Sequence, residues 1–146
     1  MPVEKPVLCG VGVILFNQDG KFLLIKRTSK HAAGMYALPG GWMEFGETPE
    51  EAGIREAKEE LDVDLKDIKV LGITNNFFPA ENIHTISPLV AARIMPGQEP
   101  KIMEPHKVEQ LVWCDDWDNL PEPIFTKYNQ YITSGDLKAY WKRVCL

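Results

Sequence analysis

The sequence predicts an α/β protein in which helices sandwich a mixed β-sheet. Three observations carry this. Apolar, β-prone runs recur at 7–16, 68–78, 84–95 and 108–114. One central stretch, 49–61, has the start signals of a helix, and a second run at helical spacing lies near the end of the chain.

The elements follow in order. Residues 7–16 read as a strand, "NQDG" (17–20) as a turn, and 21–26 as the partner strand of a hairpin. "SKHAAGM" (29–35) is a small polar loop. "YALPGGWMEF" (36–45) combines short extended pieces with a Pro-Gly-Gly break. Thr48 can cap the central helix, Pro49 fits its first position, and Glu51 completes a T-x-x-E capping box. Strands at 68–78 and 84–95 flank "PAEN", "MPGQEP" (95–100) is a loop, and 108–114 is a further strand. In the closing helix Ile124, Phe125, Tyr128, Tyr131 and Ile132 recur at helical spacing, and Gly135 suits its end. The tail, 136–146, reads as a short strand or as a surface for a partner chain.

The central helix carries an unusual face. Residues three and four apart are neighbours on a helix, so Glu56, Glu59 and Glu60 can converge their carboxylates. Like charges at that spacing destabilise an isolated helix, and Gly53 in its interior costs about 1 kcal/mol relative to alanine. Both costs make sense if a cation binds there. Ala52 and Gly53 then leave room beside the acids, while Ile54, Ala57 and Leu61 form the core face. The preceding "LPGGWMEFGE" adds Gly40 and Gly41, which permit close backbone approach, and the acids Glu44 and Glu47. A backbone carbonyl with several carboxylates is an all-oxygen shell suited to Mg²⁺ or Mn²⁺. No His/Cys grouping accompanies the acids, which argues against zinc. Magnesium commonly binds together with phosphates, so the expected ligand is a phosphate ester or anhydride.

These residues resemble the Nudix box, G-x5-E-x7-R-E-U-x-E-E-x-G-U with U a bulky aliphatic residue. Gly41, Glu47, Arg55, Glu56, Glu59, Glu60 and Val63 match. Ala57 stands where a larger aliphatic residue is usual, and Asp62 replaces the closing glycine, where a left-handed backbone is expected. With its lead-in strands the resemblance covers 7–117. It implies a Nudix-like α/β/α sandwich, one domain over 1–146, and metal-dependent hydrolysis of a nucleoside diphosphate linked to a further group.

Residue by residue, the resemblance implies Glu56 and Glu60 as main metal ligands, with Glu59, Glu47 and the Gly40 carbonyl joining them. Arg55 would orient the glutamates, and Glu59 would be the base that activates water. Members of the family often add a carboxylate from outside the box; Glu109 is the candidate here and Glu104 the runner-up. Arg27 could hold outer phosphates, Glu44 stands with the substrate-binding candidates, and Phe77, Phe78, Phe125 and Tyr128 could carry the base.

"HAAGMYALPGGWMEFGET", "EPHKVEQLVW" and "WDNLPEP" look like the branch that converts nucleoside triphosphates to monophosphates plus pyrophosphate. The alternative is an ADP-ribose or nucleotide-sugar pyrophosphatase, a branch that often carries a proline at the position of Pro79, 16 residues past Val63. A nucleotide sensor without catalysis is the distant third, since no box glutamate is missing.

Composition bounds the rest. The net charge of −5 argues against coating a nucleic-acid polymer. No apolar run is long enough to span a membrane, and the first residues lack a secretory pattern. Three cysteines at unrelated spacings read as free thiols in a reducing cytoplasm. A homodimer and a monomer both remain open.

Overall fold

Strand β1 (Leu8–Phe16) organises the molecule, and from Gly10 onward all its residues are buried. Such a run, without an alternating polar face, requires cover on both sides of the sheet. The structure, a computed structural model, describes residues 5–30, 33–116, 119–125 and 135–145. Its remaining strands and α-helices are β2 (Phe22–Arg27), β3 (Tyr36–Ala37), β4 (Gly40–Trp42), α1 (Pro49–Leu61), β5 (Leu65–Phe78), β6 (Ile83–Ile94), β7 (Val108–Cys114) and α2 (Gly135–Cys145).

The strands form one mixed sheet of seven, ordered β3-β2-β1-β6-β5, with β4 also paired to β1 and β7 to β2. Strands β1 and β6 run parallel, Val13 opposite Val90; the other pairings are antiparallel. Strand β5 starts earlier than the sequence predicts because a register shift, with Asp67 at positive φ, carries it back to Leu65.

Among the described residues, α1 and α2 cover opposite faces, which is the expected α/β/α arrangement. Val13, Leu15 and Leu23 pack with Ala57 and Leu61 of α1. The alternate residues Ile14, Phe16, Phe22 and Leu24 pack with Leu137 and Tyr140 of α2. The period-two alternation of a strand sends neighbouring side chains to opposite sides, so one apolar run feeds both cores.

The ends of α1 are as predicted. Thr48 Oγ1 accepts from the Glu51 N–H at 3.1 Å, and the Glu51 carboxylate takes the Thr48 N–H. Asp62 closes the helix in the left-handed conformation, φ 55°, ψ 45°. Two assignments on its faces change. Ile54 is 43 % exposed and lies outside the core. Gly53 faces the sheet: a Cβ there would stand 3.4 Å from Val90 Cγ1. Ala52 is buried with Val11 and Val90. The small residues therefore let the helix approach the sheet closely, and they do not make space beside the acids.

The chain's end also corrects the expectation. The tail is neither a strand nor a free surface but helix α2, with Tyr140 1 % exposed. Tyr140 donates its hydroxyl to the Asp67 carbonyl at 2.6 Å, and Trp141 Nε1 donates to the Gly20 carbonyl at 3.1 Å. Gly135, read as a helix end, begins this helix. Ile124 and Phe125 are not helical: Ile124 bridges to Tyr36, and the Phe125 N–H donates to the Tyr36 carbonyl at 2.7 Å. The rest of the predicted helix, with Tyr128, lies outside the described residues. Among those residues no helix is long and apolar enough to cross a membrane.

Candidate active site

The site forms where β4 runs into α1. Gly40 pairs with Gly12 and Gly41 with Val11. A Cβ on Gly40, whose φ is 156°, would overlap the Val11 carbonyl, and one on Gly41 would reach the Glu56 carboxylate, 2.7 Å from Cδ. Glycine at both positions lets the strand lie against β1 and against the acidic helix face at once.

Arg55 gathers the acids. Its Nε donates to Glu47 Oε2 at 2.7 Å and its Nη2 to Glu47 Oε1 at 2.9 Å. Nη1 reaches Glu56 Oε1 at 3.0 Å and Glu59 Oε2 at 3.2 Å, and Nη2 also donates to the Trp42 carbonyl. Glu44 lies 3.7 Å from the same guanidinium, while its N–H donates to Glu47 Oε1 at 2.7 Å. The hydrogen bonds from Arg55 and from the Glu44 backbone hold the Glu47 carboxyl below its usual range. Through Glu47 and Glu56, Arg55 itself is held well above its ordinary value, against its own desolvation.

Glu56 and Glu60 face inward and are buried. Burial pushes Glu60 up to about 9; its hydrogen bond and charge repulsion with Glu56 add to this, and the Gly40 N–H, 3.3 Å away, opposes it. Two carboxylates pressed together in a desolvated place need a proton or a cation between them. The donor set is all oxygen, so it fits a hard divalent ion. Glu59 is half exposed and held by Arg55, so among the described residues no three such side chains already surround one point.

A cavity of about 540 Å³ opens from this face. Of the predicted residues, Gly40, Glu44, Arg55, Glu56, Glu59, Glu60, Arg27, Phe78 and Phe125 line it. Phe78 and Phe125 stack on each other, 5.6 Å between centroids, and Arg27 lies over the Phe125 ring at 4.9 Å. Glu47 contributes through Arg55. Two candidates fall elsewhere. Phe77 is 65 % exposed and turns to His84 on the far side of β5, because neighbouring strand residues alternate faces. Glu109 pairs with Lys26 at 3.0 Å and is not among the cavity residues. Glu104, the runner-up, is likewise absent from the cavity wall and pairs with the lining residue Lys107 at 3.2 Å, but its charge helps raise Glu60.

Residues 8–133 match the NUDIX domain. The chain belongs to the Nudix family. It is 36 % identical over 120 residues to the ADP-ribose pyrophosphatase of Methanocaldococcus jannaschii, covering 82 % of this chain and 68 % of that protein. To the 8-oxo-dGTP diphosphatase of Proteus vulgaris it is 31 % identical over 80 residues, 55 % of this chain and 71 % of the relative. A MutT NUDIX hydrolase structure from Burkholderia pseudomallei superposes with a TM-score of 0.74 at 29 % identity, over 95 % of this chain and 98 % of that one. The protein is thus a Nudix pyrophosphohydrolase, and hydrolases of this family generally use divalent metal ions.

The Nudix cavity also holds residues that sequence reasoning missed: Asn76, Thr85, Ser87, Ser29 and Lys107. Three of them carried a readable signal. Thr74 and Asn76 on β5, and Thr85 and Ser87 on β6, are polar residues at period two, as on one face of a sheet.

Proposed function

We propose that this Nudix hydrolase cleaves nucleoside triphosphates to a monophosphate and pyrophosphate, with Mg²⁺ or Mn²⁺, and that residues 1–146 work as a single domain. The observation that carries the reading is the composition of the cavity: box carboxylates with their Arg55, one aromatic pair and two further cations, Arg27 and Lys107, the latter paired with Glu104 at 3.2 Å, share one space. One aromatic platform suits one base, and two cations suit a phosphate chain carrying more charge than a single bridge.

Glu56 and Glu60 would hold the metal, with Glu47, Glu59 and the Gly40 carbonyl completing its shell. A bound divalent ion neutralises phosphate oxygens and acidifies a water. Arg55 fixes Glu47, Glu56 and Glu59 in one arrangement, so the acids are oriented before substrate arrives. Glu59 is the half-exposed box acid in the cavity, and it is the group proposed to take the proton of the attacking water. Arg27 and Lys107 would bind the outer phosphates, and Phe78 and Phe125 would carry the base. Glu44 would border the phosphates and help keep Arg55 in place.

The cytoplasm is the proposed location. A small nucleotide is the proposed partner.

A second reading, an ADP-ribose pyrophosphatase, has one observation in its favour: the relative that matches 82 % of this chain carries that name. A panel of triphosphates, ADP-ribose and nucleotide sugars, with products separated by chromatography, tests both. One pyrophosphate per nucleotide supports the first reading. A higher kcat/KM for ADP-ribose, with AMP and ribose phosphate released, replaces it with the second.

A further inference from the structure

We infer that Asn76 and Thr85 select the nucleobase, favouring one with an exocyclic amino group beside an unprotonated ring nitrogen, as in adenine and cytosine. The inference rests on reading the cavity as a nucleotide site.

It follows from where protons are spent. Thr74 is 2 % exposed, and its hydroxyl donates its single proton to the Ser87 carbonyl at 3.2 Å. Toward Asn76 that oxygen can therefore only accept. Asn76 must face it with Nδ2, and does so at 3.0 Å; the same nitrogen donates to Thr85 Oγ1 at 3.3 Å. The amide orientation is thereby fixed by the network and not by choice of flip. Asn76 Oδ1 is left over. Among the described residues nothing donates to it, and it is not among the sealed polar atoms without a partner, so it meets open space. Asn76 lines the cavity, two residues before Phe78 on the same face of β5.

Thr85 stands directly opposite Asn76 across the β5–β6 ladder and lines the same cavity. Its oxygen accepts from Asn76, and among the described residues no acceptor takes its proton. The wall beside Phe78 thus presents an acceptor next to a donor. An amino group beside a bare ring nitrogen offers the complementary donor and acceptor. The deaminated base turns a keto oxygen toward Asn76 Oδ1, acceptor against acceptor, whereas the Thr85 hydroxyl can accept from its ring N–H through the second lone pair, so the discrimination rests on Asn76. That mismatch forfeits a hydrogen bond and leaves desolvated polar atoms unpaired.

Binding of nucleoside monophosphates tests this without requiring turnover, since a monophosphate is a product under either substrate reading. AMP is compared with IMP, and CMP with UMP, by calorimetry on the full chain. The wild-type protein is expected to bind the amino member about tenfold more tightly. Asn76→Leu should erase the preference. Thr74→Val, which touches no ligand, should weaken it by freeing the amide to turn. Equal affinities within both pairs, no measurable binding of any monophosphate, or a preference unchanged in Asn76→Leu, would overturn the inference. An amino preference in a protein that hydrolyses no triphosphate would sustain it while removing the triphosphatase reading.

Discussion

Arg55 holds Glu47 with two parallel hydrogen bonds, Nε to Oε2 at 2.7 Å and Nη2 to Oε1 at 2.9 Å. A guanidinium fork matches a carboxylate in this way, and an ammonium cannot. The remaining guanidinium nitrogen, Nη1, is then free to reach Glu56 and Glu59. Arg55→Lys keeps the charge and loses the fork. Its kcat is expected to fall roughly 10- to 100-fold, while the melting midpoint stays within about 4 °C. Steady-state kinetics and a thermal melt check the pair of outcomes; wild-type kcat would show that the charge alone suffices.

Gly53 gives a prediction about packing. With Val90 at van der Waals distance from the missing Cβ, a large side chain must lever α1 off the sheet. Gly53→Leu should lose about 1–3 kcal/mol in urea unfolding. Gly53→Ala should stay within about 1 kcal/mol of wild type, since better helix propensity offsets a tight contact. An unaltered Gly53→Leu midpoint would contradict the close approach.

Burial of Glu60 sets a pH dependence. Its folded-state value, about 9, lies above the ordinary carboxylate value of 4.5. The metal-free folded form keeps its proton where the unfolded chain has released it. The stabilisation is therefore complete below pH 4.5 and is lost progressively as pH rises toward 9. With a chelator present, the melting temperature should fall between pH 5 and pH 9, as the two cited values bracket. Magnesium or manganese should suppress the fall, because a bound cation replaces the proton. Glu60→Gln should flatten the metal-free profile and lower turnover about 100-fold or more. A profile with the same slope in Glu60→Gln would assign the effect to other groups.

Both acids outside the box are ion-paired, Glu109 with Lys26 and Glu104 with Lys107 at 3.2 Å, but only Glu104 bears on Glu60. Glu109 is spent on a half-exposed pair with Lys26, so Glu109→Gln should leave kcat within about twofold of wild type. The charge of Glu104 helps keep the Glu60 carboxyl high, and Glu104→Gln should cost more than Glu109→Gln, up to about tenfold. Reversal of this order in parallel assays would restore Glu109 as the relevant carboxylate.

Helix α1 was legible because its signals are local: a cap, a proline, a capping box and a box of charges. Its inward glutamates were legible too, because their spacing alone puts them together. The roles of Gly53 and Ile54 were not, because they depend on which side the sheet approaches, a fact supplied by β6 from far along the chain. Helix α2 carried a readable pattern, Leu137, Tyr140, Trp141 and Val144, at three- and four-residue spacing. Gly135, a glycine that suits a helix end, conceals it by standing at its start. Phe77 was misplaced for a simpler reason: two adjacent phenylalanines cannot share one strand face, and only register decides between them.

The parallel pairing of β1 with β6 sets the tempo of folding. Everything from β2 through β5 lies between them in the chain, so the ladder at the centre of the sheet closes a very long loop. Such non-local pairing slows folding. On a ribosome, β1 meets β2 and β4 soon after it emerges, while its other edge waits for β6.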